Sequence, residues 1–161
     1  MRGTAAALPA AAGLLAALLV WALGATLVEP GAWARLFAAR PGPTVAAAAD
    51  LASMVALALA STAAWLSWWA APDHRHARLL VGLYASGGFW LLAWSVLLFR
   101  FGRPDLALLA VAPVWFVLVA LVLLTRRFAP WAAALLVPCL AWMAAAAVLT
   151  LELLPPTGAG G

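Results

Sequence analysis

The sequence predicts an all-α membrane protein, a single five-helix transmembrane bundle covering residues 1–161. Three observations point there. With 68% hydrophobic and 9% charged residues and a mean hydropathy of +1.10, the chain has too little polar surface to cover a water-soluble globule. The apolar residues fall in runs of about twenty or more, each long enough to cross a hydrocarbon core of about 30 Å as a helix. Arginines sit between those runs, where headgroups would hold them.

The first run, residues 8–28, ends at the turn-forming Glu29-Pro30-Gly31. Only Arg2 precedes it and it exceeds the usual signal-peptide core of about 7 to 15 residues, so it reads as a retained span rather than a cleaved leader. In the connection that follows, Trp33, Leu36 and Phe37 stand at helical spacing beside Arg35 and Arg40. That pattern suits a short interfacial helix lying on the membrane, with a simple loop as the alternative. The second run, residues 44–71, closes on Trp65, Trp68 and Trp69 at an expected interface. Asp50 is its outlier, about 9 Å inside the helix start at a rise of 1.5 Å per residue, and is a candidate polar site.

Residues 72–78 read as a hydrophilic turn. Its His74 and His76, two residues apart with no third ligand, do not make a metal site. The third run, residues 79–99, places Gly87, Trp90 and Trp94 on one face, and the fourth, residues 106–125, carries Pro113 and Trp115 in its middle. In the fifth, residues 131–154, a stripe of Trp131, Leu135, Pro138, Trp142, Ala145 or Ala146, and Leu149 runs along one side, with alanines over much of the rest. Those alanines permit the close backbone approach on which helix association in lipid depends. Pro138 removes a hydrogen bond and is expected to kink the span. Residues 155–161 read as a disordered tail.

Five spans put the termini on opposite sides. Arg2, Arg75, Arg78, Arg126 and Arg127 share the N-terminal side against Arg35, Arg40, Arg100 and Arg103, a small excess that leans towards a cytoplasmic N-terminus. The lack of lysine beside abundant Ala, Arg, Gly and Pro suggests a GC-rich bacterial genome and hence a bacterial cell membrane. A net charge of +4 spread over the connections is headgroup anchoring, not a nucleic-acid surface. The single cysteine, Cys139, lies within a span and reads as a packing residue. No phosphate loop, nucleotide fingerprint, metal cluster or nucleophile–base pair is visible, so the chain does not read as an enzyme and no cofactor is required. What stands out is tryptophan, ten residues in all, of which Trp90, Trp94, Trp115 and Trp142 lie deep within spans. Either they fill space between alanine-rich helices, or their rigid flat rings wall an apolar cavity for a planar ligand.

The number of spans, the tryptophan-rich middle, the fifth-span pattern W-A-A-A-L-L-V-P-C-L-A-W from Trp131 to Trp142 and the third-span pattern opening on Leu83-Tyr84 and closing on Trp94-Ser95 resemble the tryptophan-rich sensory protein and translocator protein family, also called the peripheral benzodiazepine receptor family. The resemblance covers nearly the whole chain. It implies a bundle of five helices, commonly a homodimer, whose cavity receives porphyrins, heme and other tetrapyrroles. It assigns the pocket to Trp94, Trp115 and Trp142, with Ala146 and Leu149 on the same fifth-span face; Tyr84, Gly87 and Trp90 join them from the third. The chain also departs from the family. Arg40-Pro41-Gly42-Pro43 replaces the tryptophan-x-proline-proline entry to the second span, Gly87 and Leu91 replace a glutamine and an asparagine, and Cys139 and Thr150 replace a tyrosine and an asparagine. The cholesterol-recognition pattern is missing, so cholesterol binding is not expected, and with those polar side chains replaced the cavity is expected to be greasier and less selective than the family norm.

Three functions follow from these readings. The first is a membrane sensor or receptor-like regulator binding a small planar hydrophobic ligand. The second is a transporter of a lipophilic molecule or ion with Asp50 as its gate. The third is a structural subunit docking another membrane protein through its alanine faces.

Overall fold

The computed structural model describes residues 43–154 together with Trp33 and Leu36. Over that range the chain is helical, with no strand among the described residues: α1 (Pro43–Trp69), α2 (His74–Ser95) continuing into a π-helical turn (Val96–Arg100), α3 (Pro104–Thr125) and α4 (Pro130–Glu152). All four are long and apolar enough to cross a membrane, which makes the chain an integral, multi-pass membrane protein. They correspond to the second through fifth runs. The first run and the 155–161 tail lie outside the described residues.

The boundaries have local causes. Residues 72–78 are not a free turn, because α2 begins at His74. Asp73 caps that helix: its carboxylate accepts from the backbone N–H of His76 at 2.8 Å and lies 2.9 Å from His76 Nδ1, satisfying a donor that a helix start leaves unpaired. These bonds hold the Asp73 carboxyl below its ordinary range, the backbone N–H of His76 being the largest influence. Between α2 and α3 the chain turns through Gly102 at φ +60°, a conformation that costs glycine little. Pro104 and Pro130 open α3 and α4 at positions where the missing N–H has no intrahelical partner to lose. Both helices also run through an internal proline, Pro113 and Pro138.

α4 packs against α3 and α1, and α3 packs against α2, while α1 and α2 touch only lightly. The contacts are made by small residues. Ala46, Ala49 and Ala63 of α1, Ala107 and Ala110 of α3, and Ala132, Ala133 and Ala146 of α4 are all buried. Bulky Leu51, Met54, Phe89, Leu109 and Phe116 face outward, as expected where lipid is the solvent. Cys139 does pack, and its thiol also reaches across to α1, with Sγ 3.2 Å from the carbonyl oxygen of Ala56.

Two core clusters lie at opposite ends of this antiparallel set. One joins Ala63, Leu80, Leu121, Ala129, Ala132 and Leu136, near the α1–α2 and α3–α4 connections. The other gathers Ala46, Ala49, Trp94, Leu98, Ala110, Met143 and Ala146, near the α2–α3 connection that carries Arg100 and Arg103. Trp33 is buried in this second cluster at 1% exposure, and Leu36 packs against it. The helical character expected of the 33–37 stretch holds at Trp33 and Leu36, but Trp33 is buried against the bundle rather than exposed along a surface helix. Ring contacts draw it inside.

Candidate functional site

Four aromatic rings meet in the second cluster. The ring of Trp33 lies 6.0 Å from that of Trp94 at 47°, 6.3 Å from Trp142 at 73° and 5.3 Å from Phe99 at 85°. Trp94 and Phe99 meet each other edge-on at 5.8 Å. These distances and tilts lie within the range that aromatic quadrupoles favour. The spaces around them are closed by Ala46 and Ala49 from α1, Leu98 from the π turn, and Met143 and Ala146 from α4.

Each helix delivers its ring for a local reason. Residues five apart on an α-helix point roughly 140° away from one another. Phe99 is five residues after Trp94, and the π turn, bonded i to i+5, swings it back beside Trp94. Trp142 arrives from α4, where Ala146 one turn later lets α4 approach closely. Trp33 belongs to none of the four spans. Its indole stands in the slot between Trp94 and Trp142.

The residues expected to form the site divide into three groups. Trp94, Trp142 and Ala146 come together here, and Trp90 and Leu149 pack against the same cluster, Trp90 with Phe89 edge-on at 5.4 Å. Gly87 and Tyr84 do not join them. A Cβ on Gly87 would lie 3.2 Å from Val117 Cγ1, so this glycine lets α3 approach closely. Tyr84 packs in the first cluster, at the other end of the bundle, with its hydroxyl buried and without a hydrogen-bond partner among the described residues.

Trp115 is apart as well. It is 42% exposed and lines an outward-opening apolar groove of about 410 Å³ between α3 and α4 with Leu108, Phe116 and Ala147. Val111 and Met143 belong both to that groove and to the ring cluster, so they form the wall between Trp115 and the other indoles. Trp131 also leaves the fifth-span stripe, being 80% exposed. Asp50 is half-buried and follows Ala49 of the ring cluster in the chain, with no ion pair or hydrogen bond to its carboxylate among the described residues.

Two participants escaped the sequence reading. Phe99 looked like the end of a span, and nothing in periodicity announces a π turn. Trp33 had a signal, a tryptophan in a short segment with helical spacing, but its depth could not be read from spacing.

Trp94 has one further property. Its Nε1–H is buried and has no hydrogen-bond acceptor among the described residues, the residue being only 4% exposed. Among the described residues no group of three or more His, Cys, Asp or Glu side chains is placed to hold a metal ion. The arrangement is one of flat apolar walls with one unsatisfied donor, a lining that suits a flat ring.

In comparison with known proteins, the model of the TspO/MBR family, the grouping of tryptophan-rich sensory and translocator proteins, matches residues 5–154. No curated protein and no solved structure matches the chain.

Proposed function

This chain belongs to the TspO/MBR family, and from that premise we propose that it is a membrane sensor or regulator binding a planar hydrophobic ligand, a porphyrin or related tetrapyrrole, between Trp94 and Trp142. One observation carries the reading. The slot between those two indoles already accommodates a flat aromatic ring, that of Trp33, at 6.0 and 6.3 Å. A ligand ring edge takes the place of the Trp33 indole, with Trp90, Ala146 and Leu149 bordering the entry and Phe99 closing the far side. Binding sites for planar apolar ligands are built this way, from rigid rings that lose little entropy on contact. The role in this reading is recognition, carried by the rings that line the slot.

Titrating the purified protein in lipid nanodiscs with protoporphyrin IX tests this. Bound porphyrin quenches indole fluorescence, and the curve saturates. Trp142→Ala, which removes one wall, weakens binding about tenfold, roughly 1.4 kcal/mol and near the upper end of what one aromatic pair contributes. Quenching that rises linearly with porphyrin, as partition into lipid gives, overturns the reading.

The proposal extends to a bacterial cell membrane as the location and to a homodimer as the assembled form. Transport gated by Asp50 finds less support, because a path across the bilayer needs several polar groups and no ion pair or hydrogen bond joins the Asp50 carboxylate to another group among the described residues.

A further inference from the structure

The buried Nε1–H of Trp94 calls for a partner. An indole nitrogen is a donor only, so it has no alternative role as an acceptor, and its ring cannot rotate freely while Trp33 and Phe99 pack against it. Leaving such a donor unpaired forfeits its hydration without replacement, and native structures hold few of them. Among the described residues its environment offers no remedy. The residues of the surrounding cluster are apolar, and the Ser95 hydroxyl, which donates to the carbonyl oxygen of Leu91 at 2.9 Å, does not accept from the indole.

From this we infer that the ligand carries a hydrogen-bond acceptor at its edge, a carboxylate or carbonyl oxygen, and that Trp94 Nε1–H donates to it. The inference rests on the slot proposed above and narrows its ligand class. An unadorned flat hydrocarbon fills the slot but leaves the donor unpaired. A planar ring with an acidic or carbonyl side chain fills the slot and satisfies it. The site thereby selects by polarity as well as shape, because a buried donor discriminates against a ligand that lacks the matching acceptor.

Two porphyrins with the same ring separate the cases: protoporphyrin IX, which bears two propionates, and etioporphyrin, which bears alkyl groups only. Affinities are measured in nanodiscs, with partition into empty nanodiscs subtracted. The natural chain prefers protoporphyrin IX about tenfold, within the range of one hydrogen bond to a charged acceptor. In Trp94→Phe, which keeps an aromatic ring and removes the N–H, the ratio of the two affinities collapses towards one. A ratio that persists in Trp94→Phe, or that is already near one in the natural chain, overturns the hydrogen bond while leaving the slot standing. If neither porphyrin binds saturably, the slot fails and the hydrogen bond with it.

A second measurement does not depend on the variant folding. In the ¹⁵N-labelled natural protein, the Trp94 Nε1–H proton resonance moves downfield in the protoporphyrin complex relative to the etioporphyrin complex. Ring currents are common to both ligands, so equal positions in the two complexes refute the donation.

Discussion

Trp33→Ala is the most informative single change, because the proposed ligand and the Trp33 indole compete for one place. At 1% exposure the ring is fully buried. In water its removal would cost about 3–5 kcal/mol through lost burial and an unfilled cavity. In a bilayer the burial component shrinks, since lipid tails are as apolar as the protein interior. What remains is chiefly packing. Trp33 makes three ring contacts, with Trp94, Phe99 and Trp142, and at about 0.5–1.5 kcal/mol each they sum to roughly 1.5–4.5 kcal/mol. A ligand entering the slot must overcome that amount, so its removal strengthens binding. Taking the lower end, Trp33→Ala tightens protoporphyrin IX binding about tenfold or more. The assay is the same nanodisc titration, read by quenching of the remaining indoles and by the porphyrin absorption band, on a variant whose helix content matches the natural chain. Trp33→Phe, with a smaller ring, falls between. A folded Trp33→Ala protein that binds more weakly than the natural chain refutes the competition and makes Trp33 a wall of the site.

The remaining predictions concern residues the fold places elsewhere. Trp115→Ala, beyond the wall of Val111 and Met143, alters porphyrin affinity by less than about twofold in that titration, whereas a pocket including Trp115 requires a loss like that of Trp142→Ala. Gly87→Leu forces α2 away from Val117 and lowers stability by about 1–3 kcal/mol in a denaturant melt followed by circular dichroism. Gly87→Ala is milder, because its helix propensity gain of about 0.5–1 kcal/mol offsets a contact that must yield by tenths of an ångström. Asp73→Ala removes the α2 cap and lowers the thermal midpoint, with Asp73→Asn retaining part of it. Because the folded state holds the Asp73 carboxyl below its ordinary range, the capping contribution is complete above a pH of about 4 and fades as pH falls through the lowered value. The melting difference between the natural chain and Asp73→Ala therefore narrows between pH 7 and pH 2.

Composition and periodicity alone determined much of the architecture. Runs of twenty or more apolar residues can satisfy their backbone in lipid only as helices, so the second through fifth spans were legible to within a few residues. That alanine would mediate the contacts was legible too, because only small side chains let helices close on one another in a solvent that gives apolar surface no reason to hide. The start of α2 was misread because a single capping carboxylate, Asp73, outweighed a hydrophilic appearance. For the site, the sequence could nominate tryptophans but not sort them. Trp94, Trp115 and Trp142 are all deep in spans, yet whether a ring faces its neighbours or lipid depends on the rotation of one helix against the next. That rotation is set by contacts far apart in the chain, such as Gly87 on Val117 and Cys139 on Ala56. The tertiary structure alone decided that Trp115 faces outward, that a π turn returns Phe99 to Trp94, and that Trp33 enters the slot. Local pattern fixes where a helix runs, but which of its faces meets a partner is a property of the packed bundle.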